Sequence, residues 1–475
     1  MRRERSRSSR RQWLKACGVL GGAAVLDPTA GAEPPANGPA VSFRDELQQR
    51  VEQTPLVDTH EHLPDEDERL HPKANACDDW AVLCGHYLDS DLVVAGMPAE
   101  SHARFLSRGL DPVAKWRLIA PYWPAVKNTG YGQAARIAIR ELYGVEGLEE
   151  KTIPRIQKGY ESVRGPGFYR KILVDMAGIE TCQVNSLGGR PFKESRQPTL
   201  LTQDLSIVGM HMGPDLKTLG QPTGKAVRDL SDWHAVIRWW FEKYGPYAMA
   251  VKSQAAYSRG LDYERVPAET AEPVFGKILR QDAVTEAEQK LLQDHLFWYA
   301  VEQATQRGLP VKLHTGYYAG SGGMPLGRVQ RNPAEASELC RKSPETTFVF
   351  MHIAYPCWQD LIAVAKHFAN AHVDMCWSWI IDPVAAKQFL KSYIVAAPAN
   401  KLLTFGGDYL YVECVLGHAR LARRGIVRAL AELVDEGWLE GRDALDLVEP
   451  LLRGNARRIF HTEDKLAKLQ KAPWA

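Results

Sequence analysis

From Leu56 onward the chain repeats one unit: a short apolar run, a polar residue at its C-terminal end, then a stretch with helical spacing. Runs that are apolar throughout and alternate with helices indicate parallel strands covered on both faces. The runs are 56–58 leading into His60, then 179–184, 205–210, 248–252, 310–314, 346–352, 372–377 and 402–405. Eight such strands predict the α/β class and a closed (β/α)8, TIM-type barrel. Helix signals fall between them. Thr285 and Glu288 make a capping box, Leu292, Leu296 and Tyr299 share a helical face, and Gly308 is placed to stop the helix. Asn332 and Pro333 read as N-cap and first helical residue. Residues 233–244 and 358–368 read as helices as well.

Two stretches stand outside the repeat. Residues 63–170 are mostly helical in pattern and rich in aromatics and prolines, and they separate the first strand from the second. An insertion there reaches the barrel's C-terminal mouth, where sites are built, so it reads as a lid or substrate-binding subdomain. Residues 410–462 read as terminal helices packed on the barrel. The barrel domain is expected over 51–470, preceded by a proline- and glycine-bearing linker at 33–50.

Charge is unevenly spread. Residues 1–32 hold seven basic side chains against Glu4 and Asp27, whereas the whole chain has a net charge of +2, so the remainder is slightly acidic. Such a body lacks the basic stripe of a nucleic-acid binder. Arg10 and Arg11, the apolar run 16–26 and the small-residue site at Ala30, Gly31 and Ala32 form the three-part layout of an export signal of twin-arginine type. That implies a folded, periplasmic product. No apolar stretch approaches the roughly 20 residues a membrane helix needs. The eight cysteines form no CxxC pair, so a zinc knuckle is not expected. Cys77 and Cys84 are the nearest pair for a disulfide, and most of the cysteines are expected to pack as small apolar residues.

The chemistry gathers at the strand ends. His60 and His62 are two apart at the end of the first strand and point to one side. Lys252, His314, His352 and Asp408 each close a separate strand, and in a barrel these ends meet around one mouth. Imidazoles and a carboxylate suit zinc or a similar divalent metal. A lone strand histidine is usually a satisfied buried residue; the ordered set is the signal. Trp377, Trp379, Tyr317 and Tyr318 flank these positions and suit either pocket walls or barrel packing.

The order HxH, Lys, His, His, Asp resembles the amidohydrolase superfamily. Val251-Lys252-Ser253, Ala255-Ala256-Tyr257, Leu313-His314-Thr315-Gly316, His352 through Tyr355-Pro356, Trp377-Ser378-Trp379 and Gly454-Asn455-Ala456 are similar to its amidohydrolase-related branch. That branch includes modules of nodulin-type, glutamine-synthetase-like proteins. The resemblance covers residues 54–62 and 170–462 and leaves 63–170 unexplained.

It implies one or two divalent ions, zinc foremost, held by His60, His62, His314 and Asp408. His352 would join for a second ion, and Lys252 if N-carboxylated. Asp408 would take the proton of an activated water. His352 would polarise a carbonyl or hold metal. An unmodified Lys252 cannot bind metal but could anchor a substrate carboxylate. The expected reaction is hydrolysis of a C–N or C–O bond at a carbonyl carbon of a small molecule. The alternatives are a decarboxylase or uronate-isomerase-like enzyme on a carboxylated substrate, or a non-catalytic binding protein on the same scaffold. A homo-oligomer is compatible with all three.

Overall fold

The computed structural model describes residues 42–187 and 189–474. The expected signal segment and residues 33–41 of the expected linker lie outside them. The linker ends earlier than expected: Phe43–Gln53 is a helix, anchored by buried Leu47 and Val51. Apolar residues four apart outweigh the nearby prolines there.

Among the described residues nine short strands follow: β1 Leu56–Glu61, β2 Ile179–Val184, β3 Leu201–Gln203, β4 Leu205–Ser206, β5 Val251–Ser253, β6 Val311–Leu313, β7 Phe348–Phe350, β8 Ala371–Asp374 and β9 Leu402–Leu403. All pairings are parallel, in the order β1-β2-β3 and β4 through β9. Backbone hydrogen bonds join the two sheets on both sides. Asp204 N donates to Val184 O (2.9 Å) and Leu205 N to Ala250 O (2.9 Å), so 201–206 acts as one barrel strand. Thr59 N donates to Phe405 O (3.0 Å) and Asp408 N to His60 O (2.8 Å), closing the last strand on the first. The result is the expected eight-stranded barrel.

Several expected boundaries move. The run 205–210 is not one strand: it pairs only at Leu205–Ser206, and Val208–His211 turns into a helix. Short apolar runs do not distinguish strand from helix by themselves. The strand expected at 346–352 stops at Phe350, and His352 lies on the turn beyond it. Asn332 is not an N-cap, because the helix runs Leu326–Lys342 with Pro333 inside it. The buried Asn332 side chain instead accepts the N–H of Gly316 (2.8 Å), fixing the loop after β6. The capping box at Thr285 and Glu288 opens Glu286–Gln306, and Gly308 follows the helix with φ +65°. Cys77 and Cys84 are buried free thiols.

The segment after β1 is helical, its longest helices being Gly130–Tyr143 and Ile153–Val163. It is bolted to the long terminal helix Val412–Asp435. Arg69 bridges Glu413 (2.6 Å) and the Tyr160 hydroxyl (2.9 Å), all buried. Gly417 lies so close to the Ala134 carbonyl that a Cβ would sit 2.0 Å from its oxygen, so only glycine permits that helix crossing. Among the described residues no helix is long and apolar enough to cross a membrane.

Candidate active site

At the C-terminal mouth, a cavity of about 260 Å³ is lined by His60, His62, His86, Tyr87, Lys252, Gln254, Tyr257, His314, His352 and Asp408, among others. All six side chains expected from the sequence meet there. At its centre is Asp408: Oδ1 lies 3.3 Å from His60 Nε2 and 3.1 Å from His62 Nε2, and Oδ2 lies 3.9 Å from His352 Nδ1. Asp408 has φ +61° and His352 φ +60°. Non-glycine residues in this region are strained, and such strain gathers at functional sites.

Hydrogen bonds set the faces of the rings. His62 Nδ1 donates to the Asn185 carbonyl (2.7 Å), which turns Nε2 toward Asp408. His86 Nδ1 accepts the N–H of Leu410 (3.2 Å), so its proton sits on Nε2. Burial, together with the charge of Lys252, pushes His60 well below the ordinary histidine value. Burial also lowers His352 to about 4 and His86 to about 3. These rings are neutral at pH 7, as metal ligands and neutral donors must be. Burial pushes Asp408 up, but the facing imidazoles of His60, His62 and His352 hold it well below the usual carboxylate range.

His60, His62 and Asp408 bring three ligand atoms within 4.8 Å of one another, a donor set that fits a divalent ion. Two further expected ligands line the cavity outside that group. His314 lines the cavity and its Nε2 donates to the Tyr317 carbonyl (2.9 Å), which leaves the lone pair on Nδ1, but it belongs to neither converging ligand group among the described residues. The Lys252 amine points to Met351 Sδ (2.5 Å) instead, and burial lowers it from 10.5 to about 8.

Beneath the histidines lies a pair of buried acids. Asp58 accepts the N–H groups of His60 (3.1 Å) and Gly407 (3.2 Å), while Glu61 accepts that of Tyr409 (2.6 Å). Burial raises Asp58 to about 7 and Glu61 well above its ordinary value. These acids pin the backbone on which His60, His62 and Asp408 sit.

Sequence reasoning missed His86, Tyr87 and Cys376. His86 and Tyr87 come from the helical insertion, where nothing in the local pattern marks them. The Tyr87 hydroxyl donates to the Asp408 carbonyl (2.5 Å), and its ring stacks on Trp377 at 4.7 Å. Trp377 and Trp379 are fully buried packing residues, and the aromatic lining of the cavity comes from Tyr87 and Tyr257. Cys376 follows a strand end, the rule that found the other residues, but was read as packing.

A family model described as Amidohydrolase matches residues 284–462. The curated protein fluG of Emericella nidulans is 23% identical over 239 residues, 48% of this chain and 26% of that protein. The chain therefore spans about a quarter of that relative's length. Among solved structures, a uronate isomerase from Thermotoga maritima superposes with a TM-score of 0.72 at 14% identity, covering 88% of this chain and 97% of that one. A glucuronate isomerase from Caulobacter crescentus gives 0.71 at 15% identity, covering 91% and 95%. These structures share the fold; the finer likeness to nodulin-type modules stays a sequence-based expectation. The family match runs through β6 to β9, the part of the chain that carries His314, His352 and Asp408, so residues 284–462 are similar to amidohydrolases and bring three of the six mouth residues with them.

Proposed function

We propose that the protein is a metal-dependent hydrolase of small molecules, cleaving a C–N or C–O bond at a carbonyl carbon. One observation carries this reading: the buried Asp408 carboxylate stands between His60 and His62 on one side and His352 on the other. His60, His62 and Asp408 would hold the divalent ion, zinc foremost by ligand type. When bound, such an ion supplies Lewis acidity, making water acidic and polarising a carbonyl oxygen. Asp408 takes the water's proton through its carboxylate and returns it to the leaving group. His352 and His86, both neutral, offer hydrogen bonds to substrate oxygens. Tyr87 holds the Asp408 backbone in its strained position. His86 and Tyr87 form part of the cavity wall beside Asp408.

A second reading is an isomerase or decarboxylase acting on a carboxylated substrate. It is favoured by Lys252, the one basic side chain among the described residues lining the cavity that could receive a carboxylate as a cation. Metal-stripped and zinc-loaded protein, assayed against panels of amides, esters, lactones and sugar acids, tests both. Zinc-dependent turnover of an acyl substrate supports hydrolysis, and turnover of sugar acids alone replaces it with the second reading. Absence of metal from the loaded protein would sink both. Export to the periplasm by the segment 1–32 belongs to the same proposal. Replacing Arg10 and Arg11 with lysine should leave precursor in the cytoplasm, read by fractionation.

A further inference from the structure

A second cavity, of about 250 Å³, lies between the loop after β4 and the helices Ala268–Leu279 and Glu286–Gln306, and it shares no lining residue with the mouth. Its wall is mostly apolar, with Met212, Pro214, Ile278, Val284 and Leu292, and His211 stands in it. His211 is fully buried. Its Nε2 lies 3.0 Å from Ser253 Oγ, and its Nδ1 has no hydrogen-bond partner among the described residues. We propose that this cavity is a second binding site, for a small, uncharged and largely apolar molecule that offers one acceptor oxygen to the His211 Nδ1–H.

The surroundings make Nδ1 a donor. Burial, with Arg259 nearby, lowers His211 to about 3, so the ring is neutral at pH 7 and carries one N–H. Ser253 Oγ already accepts the Ala255 N–H (3.3 Å). If Ser253 gives its own proton to His211 Nε2, the ring proton lies on Nδ1, and one buried N–H is left over. The opposite arrangement leaves two groups over, the Ser253 O–H and the Nδ1 lone pair, and each orphan costs about 1–3 kcal/mol. The first arrangement wins. Nearby carbonyls are already engaged: Met210 O accepts Trp233 Nε1–H (3.1 Å) and Met212 O accepts Gln293 Nε2–H (2.9 Å). Arg259 calls for no anion, because Asp294 (2.6 Å) and Gln293 Oε1 (3.1 Å) hold its guanidinium. An apolar wall with one placed polar group is the usual make-up of a small-molecule site. The volume equals about eight waters at ~30 Å³ each, room for a single aromatic ring with a short substituent. Ser253 directly follows Lys252 on β5, so the His211 link runs from this cavity to the strand that carries the mouth's lysine. The rival occupant is a trapped water on Nδ1.

The test is calorimetric titration of the full chain with acetophenone and with ethylbenzene, which has nearly the same shape but no oxygen. One acetophenone per chain is expected, bound about tenfold more tightly than ethylbenzene, the fold-change of one hydrogen bond. His211→Phe keeps a ring and removes the N–H, so the two molecules should then bind alike. Val284→Trp fills the cavity from its half-buried edge and should abolish binding of both. Equal affinities in the unmodified chain would overturn the site. So would acetophenone binding that survives Val284→Trp, which places the probe elsewhere. Binding of neither molecule would overturn it too and leave Nδ1 to a trapped water. None of these outcomes touches the reading of the mouth, which is lined by other residues. Val284→Trp removes no hydrogen bond of the ring, so the test survives a His211→Phe protein that folds poorly.

Discussion

Lys252 and Lys312 are neighbours in register on β5 and β6, both fully buried inside the barrel, yet they live in opposite environments. Lys312 has what a buried cation needs. Its amine donates to Asp204 (2.6 Å), to Gln183 (3.1 Å) and to the Thr59 carbonyl. Lys252 reaches only a thioether and faces the cavity. A buried charge without a partner is costly, and a fold retains one where the site uses it. The lower tier of the barrel is therefore built for stability, and the mouth for chemistry at stability's expense.

The largest effect should come from the mouth. Asp408→Asn keeps shape and one metal-binding oxygen but cannot take a proton, so turnover should fall by about 10²–10⁴ with little change in metal content. Full turnover in the metal-loaded variant would remove Asp408 from the chemistry.

In the lower tier, Lys312→Met leaves Asp204 buried and unpaired. The expected loss is about 3–5 kcal/mol of stability, read from denaturant unfolding. An unchanged midpoint would mean the two tiers do not differ as described.

Lys252→Met should have the opposite sign. Folded Lys252 gives up its proton near pH 8, whereas an unfolded lysine keeps it to about 10.5. Between these values the unfolded chain binds more protons, so stability rises with pH across that window. The methionine variant should lack this rise and be more stable at pH 7 by an amount on the order of 3 kcal/mol. Unfolding curves at pH 7 and 10 check it, and a rise that survives in the variant would assign the proton to another group.

The smallest change is expected at Tyr87→Phe, which strips one hydrogen bond from the Asp408 carbonyl. About 1 kcal/mol of stability should go, with a modest drop in turnover and metal retained. Loss of metal from this variant would make the insertion part of the ligand scaffold and not only its support.

The rule that chemistry sits at strand ends was readable because a parallel barrel turns sequence order into a ring around one mouth. It found His60, His62, Lys252, His314, His352 and Asp408, and all of them line the cavity. The same rule applied to Cys376 would have found the thiol. What it could not assign was role. Sequence order places His314 at the mouth, but it does not show that Nε2 is turned to the Tyr317 carbonyl, which leaves Nδ1 as the nitrogen with the lone pair. Asn332 and Pro333 show the same limit in a helix. A good capping signal is overridden because the Asn332 side chain is needed by Gly316, across a loop.

The alternation of apolar strands and helices, the barrel that follows from it, and the side chains that ring its mouth are all legible along the chain. Those properties depend on residues within a few positions of one another, through periodicity and local termination. Which imidazole nitrogen faces Asp408, which buried lysine has a partner, and which residues of the insertion reach the site follow from packing between distant segments. Tyr87 and Asp408 are 321 positions apart. A contact of that kind leaves no local trace, because it exists only when packing brings distant segments within hydrogen-bonding distance.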